Sequence, residues 1–154
     1  MALPPRIDKG TWIVLADGEK ALFLENAGTA RTYDFRVRRI EEQDNPPNRD
    51  QATGRPGRMS DGPSGHKSAV EETDWHQIGK ERFARSVAAI LSRAAQEQRY
   101  QTLVLVAAPQ VLGEMRSHLH ADAQSRILHE IPKTLTNHSL EAVERIVRTE
   151  AGAF

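Results

Sequence analysis

The segment TWIVLADGEKALFL, residues 11–24, decides the fold of this chain. Residues 11–16 form a nearly continuous apolar run, Asp17 and Gly18 form a common turn pair, and residues 21–24 form a second apolar run. Two such runs around a tight turn predict a β-hairpin. The unbroken apolar character of the first run predicts a central strand that is covered on both faces.

A third strand is predicted after Gly28, at an edge of the sheet. Apolar and charged side chains alternate there with the two-residue period of a sheet that has one buried and one wetter face. The apolar members are Tyr33, Phe35 and Val37, and the charged members are Asp34, Arg36 and Arg38. We expect the apolar members to face the core and the arginines to stay hydrated at the edge.

A long amphipathic helix is predicted in the middle of the chain. It should begin between Ser68 and Thr73, which offer alternative N-terminal caps, and it should end near Gln98. Apolar residues at helical spacing form one stripe that should face the sheet. They are Phe83, Val87, Ile90, Leu91, Ala94 and Ala95.

Two more strands and two more helices are predicted after the long helix. Residues 102–107, TLVLVA, have the composition of a strand buried on both faces and should lie beside the first strand. Pro109 suits the first turn of the next helix, where its missing N–H is no loss. A weaker strand is predicted at residues 127–131, and Thr136 or Asn137 should cap the last helix.

The resulting order, β-β-β-α-β-α-β-α, predicts a single α/β domain over residues 1–154 with a mixed five-stranded sheet and helices packed on it. This order is compatible with a ribonuclease H-like sheet. Nucleases of that shape hold two Mg²⁺ ions with several convergent carboxylates. The first strand offers only Asp17, and residues 102–109 offer no carboxylate. A metal-dependent nuclease is therefore the weakest alternative.

Composition excludes several classes of function. The chain has 21 basic and 21 acidic side chains, so any electrostatic partner must meet a local patch. It has no cysteine, which excludes thiol catalysis, thiolate zinc sites and disulfides. No apolar run approaches the roughly 20 residues that span a bilayer, and the N-terminus lacks the apolar core of a signal peptide. The expected compartment is the cytoplasm, without membrane insertion.

The sequence predicts no catalytic residue, no metal site and no cofactor. His118 and His120 lie two apart on a predicted helix and should point to opposite sides, so they should not bind one ion together. Ser64 lacks the spacing and the strand-turn-helix context of a nucleophile elbow. The glycines of the chain fit neither of the common phosphate-binding motifs.

An irregular, basic loop rich in glycine and proline is predicted at about residues 43–68. Its central part, residues 54–67, reads GRPGRMSDGPSGHK. Long loops of this kind are usually functional or disordered. Together with the arginines of the preceding strand, it could form a local positive surface that meets phosphates. The candidate residues for binding RNA or another partner are Arg36, Arg38, Arg55, Arg58, His66 and Lys67. A solvated loop without a partner is the alternative.

Four segments taken together resemble the bacterial host attachment protein family. They are TWIVLADGEKALFLENAG, the helix around Trp75 and Phe83, TLVLVAAPQVLGEMRSHL, and IPKTLTNHSLEAV. That family is named for attachment of bacteria to plant host cells. It is similar in turn to the central domain of archaeo-eukaryotic peptide-release factors, which has the same sheet order and carries a Gly-Gly-Gln tripeptide in the loop before its long helix. No Gly-Gly-Gln occurs in residues 54–67 of this chain.

The resemblance implies a non-catalytic binding module that associates with tRNA or the ribosome through the basic loop. The missing Gly-Gly-Gln argues against hydrolysis of peptidyl-tRNA. A protein interaction factor that affects host-cell attachment indirectly is the first alternative, and the nuclease is the second. The sequence leaves the partner and the oligomeric state open.

Overall fold

A five-stranded mixed sheet organises the computed structural model, which describes residues 6–43 and 65–151, without the side chains of residues 65–76. The strands are β1 (Trp12–Ala16), β2 (Lys20–Asn26), β3 (Phe35–Glu42), β4 (Leu103–Val106) and β5 (Ile127–Ile131). The helices of the described ranges are α1 (Gly65–Gln96), α2 (Pro109–His118), α3 (Ala121–Gln124) and α4 (Leu140–Glu150). This single α/β domain is the fold class that the sequence predicts, with α3 as an additional short helix.

The strand order across the sheet is β3-β2-β1-β4-β5. β1 pairs with β2 in antiparallel orientation and with β4 in parallel orientation, and β5 continues the parallel part beside β4. The two all-apolar runs are therefore neighbours in the centre of the sheet, and β3 is an edge strand. Both placements confirm the predictions from the sequence.

Each face of the sheet carries its own hydrophobic cluster. Val14 and Phe23 lie on the side that α1 and α2 cover, which we call the α1 face. Ile13 and Leu24 lie on the opposite side together with Val143 of α4, which we call the α4 face. Alternate residues of one strand thus contribute to two cores, as a strand with helices on both sides requires.

Helix α1 buries the predicted apolar stripe. Phe83, Val87 and Leu91 are 5% exposed or less, and Ile90 is partly buried against the same cluster. The helix ends at Gln96, close to the predicted end. It begins at Gly65, three residues before the earliest predicted cap. The backbone of residues 65–67 is therefore helical, and the predicted boundary of the irregular loop at residue 68 is wrong. Residues 44–64 of that loop lie outside the described residues.

The predicted caps of the last helix are wrong. The hydroxyl of Ser139 accepts a hydrogen bond from the backbone N–H of Ala142 at 3.1 Å, so Ser139 is the cap of α4. Thr136 is buried instead, and its hydroxyl donates to the carboxylate of Asp17 at 2.6 Å. Thr136 therefore ties the loop after β5 to the turn after β1.

Helix α4 is fixed to the beginning of β3 by polar contacts. The backbone N–H of Phe35 donates to the carboxylate of Glu144 at 2.8 Å. Arg148 donates to the carbonyl of Arg31 at 2.8 Å, and its guanidinium lies 4.0 Å from the ring centre of Tyr33. These contacts hold α4 against the α4 face at Phe35, the first residue of the edge strand.

Tyr100 is buried beneath the end of α1. Its hydroxyl donates to the carbonyl of Leu91 at 2.7 Å, and its ring lies 4.8 Å from that of Trp12. Burial raises the pKa of Tyr100 to about 12, although the nearby Arg126 charge acts in the opposite direction. Between pH 10.0 and about 12, the folded protein therefore keeps this phenol protonated, whereas an unfolded chain would ionise it.

The raised pKa of Tyr100 predicts a loss of stability in alkali. Between the ordinary tyrosine pKa of 10.0 and about 12, the unfolded chain loses a proton that the folded chain retains. The free energy of unfolding should therefore fall as the pH rises through this range. A Tyr100→Phe variant should show a smaller fall in urea titrations at each pH. An equal fall in both proteins would contradict this assignment, because every other titrating group is common to the two proteins.

Candidate nucleic-acid interface

The edge strand β3 contains a β-bulge that redirects its arginines. Phe23 of β2 pairs with Arg39, whereas the next residue, Leu24, pairs with Val37. Arg38 is therefore an extra residue in β3, and its side chain binds Glu25 on the α1 face. Because Phe23 belongs to the α1 face, Arg39 lies on that face too.

All three arginines of β3 have a carboxylate partner. The pairs are Arg36 with Asp34 at 3.0 Å, Arg38 with Glu25 at 2.7 Å, and Arg39 with Glu41 at 2.6 Å. The three arginine side chains remain more than half exposed. Exposed ion pairs of this kind contribute little to stability, so a phosphate can exchange with the carboxylate. In the free protein, however, the charge of this strand is largely compensated.

The structure places the other candidate residues only in part. Arg55 and Arg58 lie outside the described residues. His66 and Lys67 lie in the first turn of α1, and their side chains are outside the description. Contact between these four side chains and the arginines of β3 stays a prediction.

The helix α1 carries exposed cations that are not among the candidate residues predicted from the sequence. Lys80, Arg82 and Arg85 are exposed, and none forms an ion pair with another described residue. Arg82 and Arg85 are three residues apart, so they lie on the same side of the helix. One signal was available in the sequence, because Arg82 has no acidic residue three or four positions away.

Lys80, the first of these helix cations, lies close to the point where the chain leaves β3. The side-chain amide of Gln43, which directly follows the strand, donates to the carbonyl of Gly79 at 2.8 Å. At the neighbouring turn, a Cβ atom added to Gly18 would come within 2.6 Å of Cγ of Lys80. Gly18 therefore allows the stem of Lys80 to pack against the hairpin turn. Gln43 therefore lies beside this part of α1.

Asp17, the residue on which the nuclease alternative depends, has a structural role. One oxygen of its carboxylate accepts hydrogen bonds from the N–H groups of Glu19 and Lys20, both at 2.7 Å. The other oxygen accepts from the hydroxyl of Thr136. Among the side chains that the structure describes, those of residues 6–43 and 77–151, no three histidine, aspartate or glutamate groups are placed so that they could hold a metal ion.

A surface groove of about 600 Å³ lies between α1 and the turn from α2 to α3. Its polar lining consists of Ser92, Arg93, Gln96, Ser117, His118 and His120. The prediction that the two histidines point to opposite sides of one helix is wrong, because α2 ends at His118 and His120 caps α3. Nδ1 of His120 accepts a hydrogen bond from the N–H of Asp122 at 3.3 Å.

The sheet order and the position of α1 define an α/β domain compatible with the release-factor-like fold. Residues 10–147 match the family model of the bacterial archaeo-eukaryotic release factor family 12, and the chain belongs to this family. The match supports the release-factor part of the resemblance noted in the sequence. It gives no support to the host attachment naming.

A curated relative adds little about activity. An uncharacterized protein of Rickettsia prowazekii (strain Madrid E) is 34% identical over 77 residues, which are 49% of this chain and 51% of the relative. The match thus spans about half the length of that relative. No helix within the described part of the chain is long and apolar enough to cross a membrane.

Proposed function

We propose that the protein is a non-catalytic, translation-related binding module that associates with tRNA or the ribosome from the cytoplasm. The observation that carries this proposal is membership of the release-factor family over residues 10–147. The absence of Gly-Gly-Gln before α1 favours binding over hydrolysis of peptidyl-tRNA. No cofactor or metal takes part in this proposal.

Two groups of cations support contact with an RNA backbone. Arg82 and Arg85 are exposed on α1 and have no carboxylate partner among the described residues, so they can meet phosphates directly. Arg36 can also bind a phosphate if the phosphate replaces Asp34 as its partner. Arg38 can do the same if a phosphate replaces Glu25. Such contacts hold a backbone without reading its bases.

The proposed contacts also include the segment before α1 and the first turn of that helix. The residues involved are Arg55, Arg58, His66 and Lys67. Changing Arg55, Arg58 and Lys67 together to alanine should weaken RNA association to a similar degree on every sequence. The salt dependence should flatten as well, as expected for lost phosphate contacts.

Removal of the helix cations should weaken RNA binding. In an Arg82→Ala/Arg85→Ala variant, we expect about a tenfold weaker association with tRNA or ribosomes, and a slope of log K against log salt reduced by about one to two. The measurements are filter binding to bulk tRNA and co-sedimentation with ribosomes at several salt concentrations. Both arginines are exposed, so the melting temperature should stay close to that of the wild type.

The matched control removes the same number of charges elsewhere. Arg31 and Arg145 are exposed, and neither is ion-paired within the described ranges. An Arg31→Ala/Arg145→Ala variant should bind RNA like the wild type. Equal losses in the two variants would indicate a non-specific charge effect. Failure of the wild type to associate with RNA at low salt would refute the proposed function.

A protein partner is the second candidate. The observation that favours it is the exposure of two large apolar side chains on β3, Val37 at 41% and Ile40 at 55%. An interaction factor of this kind could affect attachment to host cells indirectly, as the resemblance in the sequence implies. Its complex would survive ribonuclease treatment, whereas a complex held by RNA would not.

A further inference from the structure

The exposed apolar side chains of β3 share one face of the sheet. Val37 lies opposite Leu24 and Ile40 lies opposite Leu22, and both leucines belong to the α4 face. Helix α4 reaches this strand at Phe35 through Glu144. Farther along the strand, Val37 and Ile40 remain 41% and 55% exposed.

These side chains lie beside an open strand edge. β3 pairs with β2 on one side, and no strand among the described residues pairs with its other side. An exposed edge with apolar side chains can receive another strand through main-chain hydrogen bonds.

The bulge gives β3 a symmetric order of faces. From Phe35 to Glu42, successive side chains lie on the α4, α1, α4, α1, α1, α4, α1 and α4 faces. Residues that lie opposite each other in an antiparallel pair are on the same face, so the register of the pair must match the faces of both strands. The order in β3 reads the same in both directions. An antiparallel copy of β3, centred between Arg38 and Arg39, therefore matches every residue to its own face.

Phe35 would lie opposite Glu42 at the ends of this register, whereas the two contacts nearer the axis are complementary. Val37 would lie opposite Ile40 of the second copy, and Arg36 would lie opposite Glu41 of the second copy. Two-fold symmetry repeats each contact, so four exposed apolar side chains and two pairs of opposite charge would be joined. Arg38 would lie opposite Arg39 of the second copy at the axis, where the bond of Arg38 to its own Glu25 limits the repulsion.

We propose that β3 pairs with β3 of a second copy of this chain, so that the two five-stranded sheets join into one continuous sheet across a two-fold axis. The dimer shares Arg36 with the proposed RNA contacts, so the dimer is tested in the absence of RNA. The arginines of β3 lie on the α1 face and would remain accessible beside the new strand pair. A single strand pair is a small interface, so the dimer should form at micromolar concentrations or above.

The test measures the mass of the full chain by sedimentation velocity from about 1 to 300 μM, after nuclease treatment to remove RNA. We expect a reversible monomer–dimer equilibrium in this range. Ile40→Lys should weaken the dimer at least tenfold. The matched control is Ile78→Lys, since Ile78 is an exposed apolar residue on α1, at 46%. This control should dimerise like the wild type.

A charge exchange tests the register itself. Arg36→Glu places like charges opposite each other twice in a homodimer, and Glu41→Arg does the same, so each single variant should dimerise at least tenfold more weakly. Mixing the two variants restores opposite charges at both contacts, and a heterodimer should form. A wild type that stays monomeric up to 300 μM would overturn the proposal. The proposal would also fail if the single variants dimerise normally, or if mixing restores nothing.

Discussion

Replacing Leu105 with aspartate should leave the protein unfolded or insoluble. Leu105 is fully buried in β4, between Val14 of β1 and Glu130 of β5, and its side chain belongs to the core of the α1 face. An unpaired carboxylate there has no hydrogen-bond donor and would be removed from water. The penalty of several kcal/mol is comparable with the whole stability of a typical domain, about 5–15 kcal/mol.

The Leu105→Asp experiment compares far-ultraviolet circular dichroism and thermal melting with a matched control. Ile78→Asp introduces the same charge at an apolar residue that is 46% exposed. This control should keep the fold and lose little more than the helix propensity of one residue, about 0.5 kcal/mol. A cooperative melting transition near that of the wild type in Leu105→Asp would show that the core assignment is wrong.

The centre of the fold could be predicted because its sequence pattern reflects burial directly. The strands β1 and β4 contain apolar residues on both faces, which is required only where helices cover both sides. Their adjacency follows from that requirement. Pro109 could likewise be placed at the start of α2, since its missing N–H is tolerated only in the first turn.

The edge of the sheet could be predicted only in outline. Val37 has the alternation of a buried residue, but it is 41% exposed. The reason is tertiary, because the hydrogen bond that joins α4 to β3 is made at Phe35, two residues before Val37. The bulge at Arg38 could not be predicted either, because a two-residue period in the sequence assumes a strand without extra residues.

The charge of the candidate interface depends on pairings that the sequence does not specify. Arg38 finds Glu25 across the β2–β3 ladder, and the register that joins them is set by the bulge. The cap of α4 is a similar case. Thr136 and Ser139 both have a hydroxyl that can cap a helix. The hydroxyl of Thr136 is bound to Asp17, and that of Ser139 caps α4.

Asn26→Asp should cost stability almost as severely, although the two side chains have nearly the same shape. Asn26 is fully buried at the end of β2. Its amide group donates to the carbonyls of Ile7 and Thr29 at 3.0 and 3.1 Å, and its oxygen accepts from the N–H groups of Gly28 and Asp34 at 3.0 and 2.9 Å. One side chain thus joins the N-terminal segment to the β2–β3 connection.

The aspartate variant would turn two attractive contacts into repulsive ones. A carboxylate oxygen would replace the amide nitrogen and face the carbonyls of Ile7 and Thr29 without a proton between them. The lost donors and the buried charge should lower the free energy of unfolding by about 3–5 kcal/mol. The measurement is urea denaturation at neutral pH, with stability compared at the midpoint.

Asn137→Asp is the matched control, because Asn137 is exposed in the loop between β5 and α4. The chemical change is identical, and the expected effect is within about 0.5 kcal/mol. A large difference between the two variants would establish that the buried amide holds the N-terminal segment against the sheet. Equal midpoints would instead mean that the segment around Ile7 contributes nothing to the cooperative unit, since removing its hydrogen bonds to Asn26 would then leave the unfolding transition unchanged.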